Sequence, residues 1–210
     1  MSGLFKSSDV KLDEGAVLIG AFAEPLDRAL LDAIGNVTQA ASFRRMVVPG
    51  GWSMSVAMTN CGRAGWVTDR KGYRYDPVDP ESGQPWPEMP AVFSDLAARA
   101  AAAAGFTGFS PDACLINRYE PGTRLSLHQD LNERDYSEPI VSVSLGVPAV
   151  FLWGGLKRAD RPRRVPVVHG DVVVWGGAAR MTFHGVNTLK ETQHPLTGNL
   201  RYNLTFRRAL

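Results

Sequence analysis

Apolar and polar residues alternate with a period of two through most of the C-terminal half of the chain. From Asp112 onward, short stretches rich in β-branched and aromatic residues follow one another, each ended by a turn signal such as Glu120-Pro121-Gly122. The pattern predicts seven strands: Ala113–Tyr119, Arg124–His128, Ile140–Leu145, Ala149–Trp153, Arg164–Val168, Val172–Trp175 and Leu200–Arg207. Because these strands are short and no helical pattern separates them, the sequence predicts a mainly β sandwich or barrel of the jelly-roll kind.

Helical periodicity is confined to two segments before these strands. Pro25–Ile34 has apolar residues at helical spacing, and Gly35 is expected to end the helix. Pro90–Ala104 has a proline near its start, an alanine-rich body and Gly105 as its terminator. The small alanines predict a helix packed closely on a sheet. The region 61–90, rich in Gly, Pro, Trp and Tyr, predicts loops and hairpins that lie over the core.

Two apolar runs could be mistaken for targeting or membrane segments. Ala16–Ala23 follows Asp13 and Glu14, where a secretory leader would be positive, so we interpret it as an early core strand. Pro139–Leu156 carries no charge, but a turn at residues 146–148 divides it into two core strands. The two cysteines, Cys61 and Cys114, form no CxxC pattern and are expected to be buried small residues, as in a reducing cytosol. A soluble, cytoplasmic protein is therefore expected.

Composition and charge narrow the class of protein only a little. The chain has 210 residues, of which 44% are hydrophobic and 21% are charged, as in one soluble globular domain of ordinary size. A net charge of +2 does not by itself establish a nucleic-acid partner. The basic cluster Lys157–Arg164 could be a solvated loop or a contact surface, and its sequence leaves both interpretations open.

A candidate metal site begins with the motif His128-Gln129-Asp130. Residues two apart in an extended segment project from the same face, so His128 and Asp130 can bind one ion together. Two imidazoles and one carboxylate form the facial triad of non-haem Fe(II) oxygenases, which leaves three coordination positions open. His184 is the better choice for the second imidazole by its order and spacing, whereas His169 is interpreted as a turn residue and His194 as an exposed loop residue.

The last predicted strand carries an unusual polar face. Arg201, Asn203, Thr205 and Arg207 project to one side of it. Such a face is costly if it is buried and empty, but it becomes favourable around a dicarboxylate, whose oxygens match guanidinium groups in paired hydrogen bonds. The alternative is an exposed edge strand with solvated arginines. Asn117 and Tyr119, also two apart, could complete the hydrogen bonding of the same anion.

Taken in order, these motifs resemble the AlkB-type Fe(II)- and 2-oxoglutarate-dependent dioxygenases. The likeness runs from about residue 57 to residue 207 and is carried by the segments TNCGRAGW, GYRYDPVDP, PDACLINRYEPGTRLSLHQD, PIVSVSLGVPAVF, GGLKR, HGDVVVWGG and RYNLTFR. It implies a double-stranded β-helix (jelly roll) core with flanking helices and an N-terminal nucleotide-recognition lid. The implied division is an extension with the lid at 1–90 and the dioxygenase core at 91–210, in one compact unit.

The resemblance also implies a role for individual residues. Fe(II) would be bound by His128, Asp130 and His184. Arg201 would bind the distal carboxylate of 2-oxoglutarate with Asn117 and Tyr119, and Arg207 and Asn203 would lie by the carboxylate nearer the metal. Trp66 and His128 would stack on an extruded base. The full set implied to contact substrate is Trp66, Tyr73, Arg158, Asn132, Glu133, Met58 and Ser142.

The implied activity is oxidative demethylation of N-alkylated bases, of the 1-methyladenine and 3-methylcytosine type, as in direct-reversal DNA repair. It would use Fe(II), O2 and 2-oxoglutarate and release succinate, CO2 and formaldehyde. The expected partner is alkylated single- or double-stranded DNA, with RNA left open, and the expected state is a monomer. The alternatives are an oxygenase of the same fold that acts on a protein or small molecule, and a non-catalytic nucleic-acid binder. Leu131 and Asn132 stand where bacterial members of the family often have a lysine and an acidic residue, so we expect lesion preference to be decided there.

Overall fold

A computed structural model describes residues 9–210 of the chain. Its strands are β1 (Val10–Asp13), β2 (Ala16–Ile19), β3 (Ala57–Gly62), β4 (Gly65–Asp69), β5 (Gly72–Asp76), β6 (Ala113–Tyr119), β7 (Leu125–His128), β8 (Ile140–Gly146), β9 (Ala149–Trp153), β10 (Arg163–Val167), β11 (Val172–Trp175), β12 (His184–Val186) and β13 (Arg201–Arg207). Its α-helices are α1 (Asp27–Ala40) and α2 (Ala91–Ala103), and short 3₁₀ turns occur at Glu24–Leu26 and Gly177–Ala179.

Two antiparallel sheets face each other and form the framework of the molecule. The larger has seven strands in the order β1-β2-β11-β8-β13-β6-β3, the smaller has four in the order β10-β9-β12-β7, and β4 and β5 form a separate hairpin. Apolar side chains from both inner faces, among them Tyr119, Phe151, Trp153 and Trp175, pack between the sheets. This is a jelly roll, so the predicted mainly β fold is confirmed.

Both helices cover the outer face of the seven-stranded sheet. Helix α2 buries Phe93, Leu96 and three alanines against it, and the ring of Phe93 meets that of Phe206 in β13 edge to face at 5.9 Å between centroids. The alanines allow the close approach that the sequence predicts. The side chains of β13 therefore divide between two cores, with Leu204 and Phe206 beneath the helices and the polar residues on the inner face.

The predicted end of α1 at Gly35 is wrong. The helix continues to Ala40 and buries a stripe made of Leu30, Ala33, Ile34 and Val37, whereas Gly35 lies on its exposed face. A glycine inside a helix costs about 1 kcal/mol relative to alanine. Apolar burial on both sides of Gly35 outweighs that cost, which local propensity could not reveal.

The N-terminal third contributes to the main sheet. Strand β2 pairs with β11, and β3 pairs with β6, so the seven-stranded sheet includes residues on both sides of position 90. The division of the chain at residue 90 stays a prediction. Cys61 and Cys114 face each other across β3 and β6, both buried and free, which confirms their prediction as buried small residues. Among residues 9–210, no helix is long and apolar enough to span a membrane.

Candidate metal centre and anion pocket

Two neighbouring strands bring the predicted metal ligands together. Strand β12 pairs with β7 so that His184 lies directly opposite His128, and Asp130 follows β7 by two residues. One donor atom from each of the three side chains lies within 4.8 Å of the others. The two imidazole Nε2 atoms each lie 3.8 Å from an oxygen of Asp130, that of His128 from Oδ1 and that of His184 from Oδ2.

Backbone carbonyls set the orientation of both imidazoles. The Nδ1 of His128 lies 2.8 Å from the carbonyl oxygen of Ser126, and the Nδ1 of His184 lies 3.0 Å from that of Thr182. Because a carbonyl only accepts, each Nδ1 must carry the proton and donate, which leaves the Nε2 lone pair directed at the shared centre. Burial, followed by the charge of His128, lowers the pKa of His184 to about 4. His184 is therefore neutral, as a metal ligand must be, at physiological pH.

Asp130 is kept ionised by a buried arginine. Burial alone would raise the pKa of the Asp130 carboxyl, but Arg207, followed by His184 and His128, holds that pKa below its ordinary value. Arg207 donates from Nη2 and Nε to Asp130 Oδ2, at 2.7 and 3.0 Å. Two imidazoles and a carboxylate fit the donor set of a facial-triad Fe(II) site.

A second group of polar atoms lines the same cavity without hydrogen-bond partners. Arg201 is 2% exposed, and its Nη2 donates to Ser144 Oγ at 3.0 Å. Among the described residues, its Nε and Nη1, the Tyr119 hydroxyl and Asn117 Oδ1 have no partner. Burial lowers the pKa of Arg201 and raises that of Tyr119. A carboxylate beside Arg201 and Tyr119 would accept hydrogen bonds from both and remove a desolvation penalty of a few kcal/mol.

The anion pocket and the metal ligands form one continuous site. His128, His184, Tyr119 and Arg201 all line its wall. Strand β13 lies between β8 and β6 in the sheet, so the alternative of an exposed edge strand is wrong. The cavity therefore has the composition that an anionic co-substrate adjoining a metal requires: cationic and hydroxyl donors beside imidazole ligands.

Asn203 and Ser142 also line this wall, but they bond to each other. Asn203 Nδ2 donates to Ser142 Oγ at 2.8 Å and to the Val143 carbonyl at 3.0 Å, while its Oδ1 accepts from Thr205. Their predicted contacts with co-substrate and substrate therefore stay predictions. In this arrangement both residues stiffen the wall of the site.

The hairpin of β4 and β5 carries Trp66 and Tyr73, two of the predicted substrate contacts. Trp66 and Tyr73 are stacked, with ring centroids 5.7 Å apart and an interplanar angle of 25°. The Trp66 Nε1 donates to Asn132 Oδ1 at 3.0 Å, and Trp66, like Leu125, packs against the inter-sheet core. Tyr73 is 49% exposed. An exposed aromatic surface thus adjoins the residues that follow Asp130.

Arg158 lies on the exposed loop after β9. Its guanidinium lies over the ring of Phe183, 5.3 Å from the centroid, and Phe183 directly precedes the metal ligand His184. The loop is exposed from residue 156 to residue 161. Of the two interpretations of the basic cluster, this position beside the site favours a contact surface.

Two of the predicted substrate contacts are not open to a base in this structure. Met58 is 1% exposed, because it lies on β3 opposite Asn117 and packs into the inter-sheet core. The side chain of Glu133 is 2% exposed and pairs with Arg180 at 3.1 Å and Arg207 at 3.3 Å. Glu133 therefore neutralises buried arginines, and its predicted contact with substrate stays a prediction.

Sequence reasoning missed three residues around the site. Arg180 is buried and donates to the Asp130 carbonyl at 3.1 Å as well as to Glu133. Tyr75 donates to Glu133 Oε1 at 2.7 Å, and Ser144 accepts from Arg201. The alternation of Tyr73 and Tyr75 could have indicated Tyr75, but no local signal distinguishes Arg180.

The predicted exposure of His194 is wrong. It is half-buried and stacks on His169, with ring centroids 4.3 Å apart. His169 does lie in a turn, where its Nδ1 accepts from the Gly146 amide at 2.9 Å and its Nε2 lies 3.2 Å from Asp27 Oδ2. The two remaining histidines thus form a structural pair apart from the metal ligands.

Comparisons with known proteins agree with the metal centre and anion pocket described above. The family described as the 2OG-Fe(II) oxygenase superfamily matches residues 15–207. The chain is 57% identical to Alpha-ketoglutarate-dependent dioxygenase AlkB of Escherichia coli over 198 residues, 94% of this chain and 92% of that protein. It is 36% identical to Nucleic acid dioxygenase ALKBH1 of Mus musculus over 124 residues, 59% of this chain and 32% of that protein. The solved structure of OsALKBH1 superposes with a TM-score of 0.82 at 29% identity, covering 94% of this chain and 100% of that one.

Proposed function

The chain belongs to the 2OG-Fe(II) oxygenase superfamily, and from this we propose that it oxidatively demethylates N-alkylated bases in nucleic acid. It is an Fe(II)- and 2-oxoglutarate-dependent dioxygenase. The observation that carries the proposal is the group of unpaired buried atoms on Arg201 and Tyr119 in a cavity that His128 and His184 also line. A carboxylate of a 2-oxo dicarboxylic acid would accept hydrogen bonds from these donors.

The residues of the site divide the work between them. His128, Asp130 and His184 would hold Fe(II). Arg201, Tyr119 and Asn117 would hold the distal carboxylate of 2-oxoglutarate, and Arg207 would lie by the other end of the co-substrate. When bound, Fe(II) and 2-oxoglutarate would supply, with O2, the oxidising chemistry that releases succinate and CO2 and removes an N-methyl group as formaldehyde.

The protein's own contribution is orientation and the exclusion of water. The ring of Trp175 meets that of His184 edge to face at 4.9 Å, and Phe151 lies 6.0 Å from the same imidazole. Aromatic walls of this kind lower the local polarity and keep His184 in one orientation. Arg207 holds Asp130 ionised, and the two backbone carbonyls hold the imidazole protons on Nδ1.

Nucleic acid is the substrate class that the surface favours. A base must leave its stack before an enzyme can act on it, and aromatic platforms compensate at about 1–3 kcal/mol per base. Trp66 and Tyr73 provide such a platform, and the side chain of the metal ligand His128 is 32% exposed. The basic loop that contains Arg158 would contact phosphates. The similarity to ALKBH1 of Mus musculus, which is named a nucleic acid dioxygenase, agrees with this class.

The test is incubation of iron-loaded protein with an oligonucleotide that carries 1-methyladenine or 3-methylcytosine. We expect formaldehyde, succinate and the restored base in equal amounts, and none of them with His128→Ala. If neither formaldehyde nor restored base forms with any methylated strand, the proposal is wrong. Succinate formation stimulated only by a peptide or small molecule would instead indicate an oxygenase with another substrate.

We further propose that the protein acts as a monomer in the cytoplasm. Two free, buried cysteines are compatible with a reducing compartment. Light scattering of the purified protein would measure its mass, and a dimer would contradict the first part of this proposal.

A further inference from the structure

Three hydrogen bonds fasten the β4–β5 hairpin to the loop that follows the metal ligand Asp130. The Trp66 indole on β4 donates to Asn132 Oδ1 at 3.0 Å, and Asn132 Nδ2 donates to the carbonyl oxygen of Tyr73 on β5 at 3.4 Å. On β5, the Tyr75 hydroxyl donates to Glu133 Oε1 at 2.7 Å. We call these four side chains, Trp66, Tyr75, Asn132 and Glu133, the hairpin clasp.

The two hairpin side chains of the clasp form one pair of the β4–β5 ladder. Trp66 and Tyr75 are opposite each other in the β4–β5 ladder, so their side chains project from the same face. Asn132 and Glu133 are neighbours in the loop; Asn132 contacts both strands of the hairpin, and Glu133 contacts β5. Because a two-stranded hairpin is marginally stable alone, its position depends on such contacts.

The anchor of the clasp is rigid. Glu133 is buried and ion-paired with Arg180 and Arg207, and Arg207 is itself bonded to Asp130. The hairpin is therefore connected through three side chains to the carboxylate of the metal site. Asn132, in contrast, is exposed, and its amide suits the position because one end accepts from an indole while the other donates to a carbonyl.

We propose that Asn132 and Tyr75 are positioning residues for nucleic acid, which hold the Trp66–Tyr73 stack beside the metal site and act through Trp66. The proposal rests on the proposed function. Asn132 would then orient Trp66 rather than contact the damaged base directly. Tyr75, for which the sequence predicts no role, would hold β5 to the loop after Asp130.

The first test uses the free protein, without metal or nucleic acid. In Asn132→Ala, the Trp66 indole resonance in a ¹H–¹⁵N spectrum is expected to move upfield, and amides 65–76 to exchange faster with solvent. Tyr75→Phe removes only the hydroxyl and should speed the same exchange. The matched control is Tyr136→Phe, whose hydroxyl bonds the Leu131 carbonyl in the same loop and does not reach the hairpin. Unchanged exchange in both clasp variants would overturn the proposal.

The second test separates positioning from chemistry. For each clasp variant the KM for methylated oligonucleotide is expected to rise by about threefold to tenfold, as for the loss of one hydrogen bond. The kcat and the KM for 2-oxoglutarate should stay within about twofold of wild type. A fall in kcat with unchanged oligonucleotide KM would contradict the proposal. If the wild type restores no base at all, the proposed function fails, while the exchange experiment still decides whether the clasp exists.

Discussion

Arg207 and Asp130 form a two-point hydrogen bond in which both guanidinium donors meet the same carboxylate oxygen. Arg207 Nη2 and Nε lie 2.7 and 3.0 Å from Asp130 Oδ2. Asp130 Oδ1 faces the Nε2 of His128 instead. Arg207 therefore fixes the rotation of the carboxylate and leaves one oxygen directed at the metal position.

We expect Arg207→Lys to weaken metal binding in the absence of 2-oxoglutarate. A lysine keeps the charge but cannot donate from two points of a planar fork, so Asp130 would lose its fixed orientation. Loss of such an orienting partner costs about tenfold to a hundredfold in metal affinity. Titration calorimetry with Mn²⁺ or Co²⁺ measures the change. Arg208→Lys, at the neighbouring exposed residue, should leave the affinity unchanged; an equal loss in both variants would contradict the argument.

The sequence predicts the strands that carry the site because their alternation is unbroken. The polar face of β13 and the pair Asn117 and Tyr119 follow from period two alone, and their burial on one inner face agrees with it. Alternation shows which residues share a face of a strand, but not what packs against that face. The burial of Met58 in the inter-sheet core could therefore not be predicted from the sequence.

Long-range ionic contacts lie beyond what a single sequence can predict. Glu133 and Arg180 are 47 positions apart, and their pairing exists only because the loop after β7 folds back on the turn before β12. In the same way, Gly35 predicts an end of α1, but the helix continues because apolar residues on both sides of Gly35 are buried. That burial depends on tertiary packing, which local sequence does not show.

Arg201 should control affinity for the 2-oxo acid. Arg201→Lys would leave the distal carboxylate with a single donor in place of a fork, and charged hydrogen bonds contribute about 1.5–3 kcal/mol. We therefore expect the KM for 2-oxoglutarate to rise by about tenfold or more, with little change in the KM for oligonucleotide. Arg118→Lys, whose guanidinium lies over Phe43 on the other face of the sheet, is the matched control. An unchanged KM for 2-oxoglutarate in Arg201→Lys would exclude Arg201 from the anion pocket.

The His169–His194 pair should make stability depend on pH below neutrality. Burial, followed by His169, lowers the pKa of His194, and Asp27 opposes this. A histidine whose pKa falls on folding binds protons more readily when unfolded, so stability is complete above the unfolded pKa of about 6.5 and is lost as the pH falls below it. The decrease in Tm between pH 7.5 and pH 5.5 should be smaller in His194→Gln than in wild type. An equal decrease in both proteins would exclude His194 as a cause.

Gly185 lies where the register between β12 and β7 changes, and its missing side chain is what lets the two histidines meet. Between the pairs His184–His128 and Val186–Leu125, β12 has one residue and β7 has two, which is a β-bulge. A Cβ at Gly185 would lie 2.6 Å from the Leu125 carbonyl oxygen, a backbone atom that cannot turn aside. Gly185→Ala should therefore push β7 from β12, separate His128 from His184 and weaken metal binding.

The same substitution should lower the free energy of unfolding by about 1–3 kcal/mol, as overpacking does. Gly35→Ala is the matched control, because a Cβ there meets nothing within 4 Å and Gly35 lies inside α1. It should raise the free energy of unfolding by about 0.5–1 kcal/mol and leave metal affinity unchanged. Urea unfolding and Mn²⁺ titration of the two variants measure both effects. Wild-type metal affinity in Gly185→Ala would mean that β7 holds His128 in place without close contact with β12.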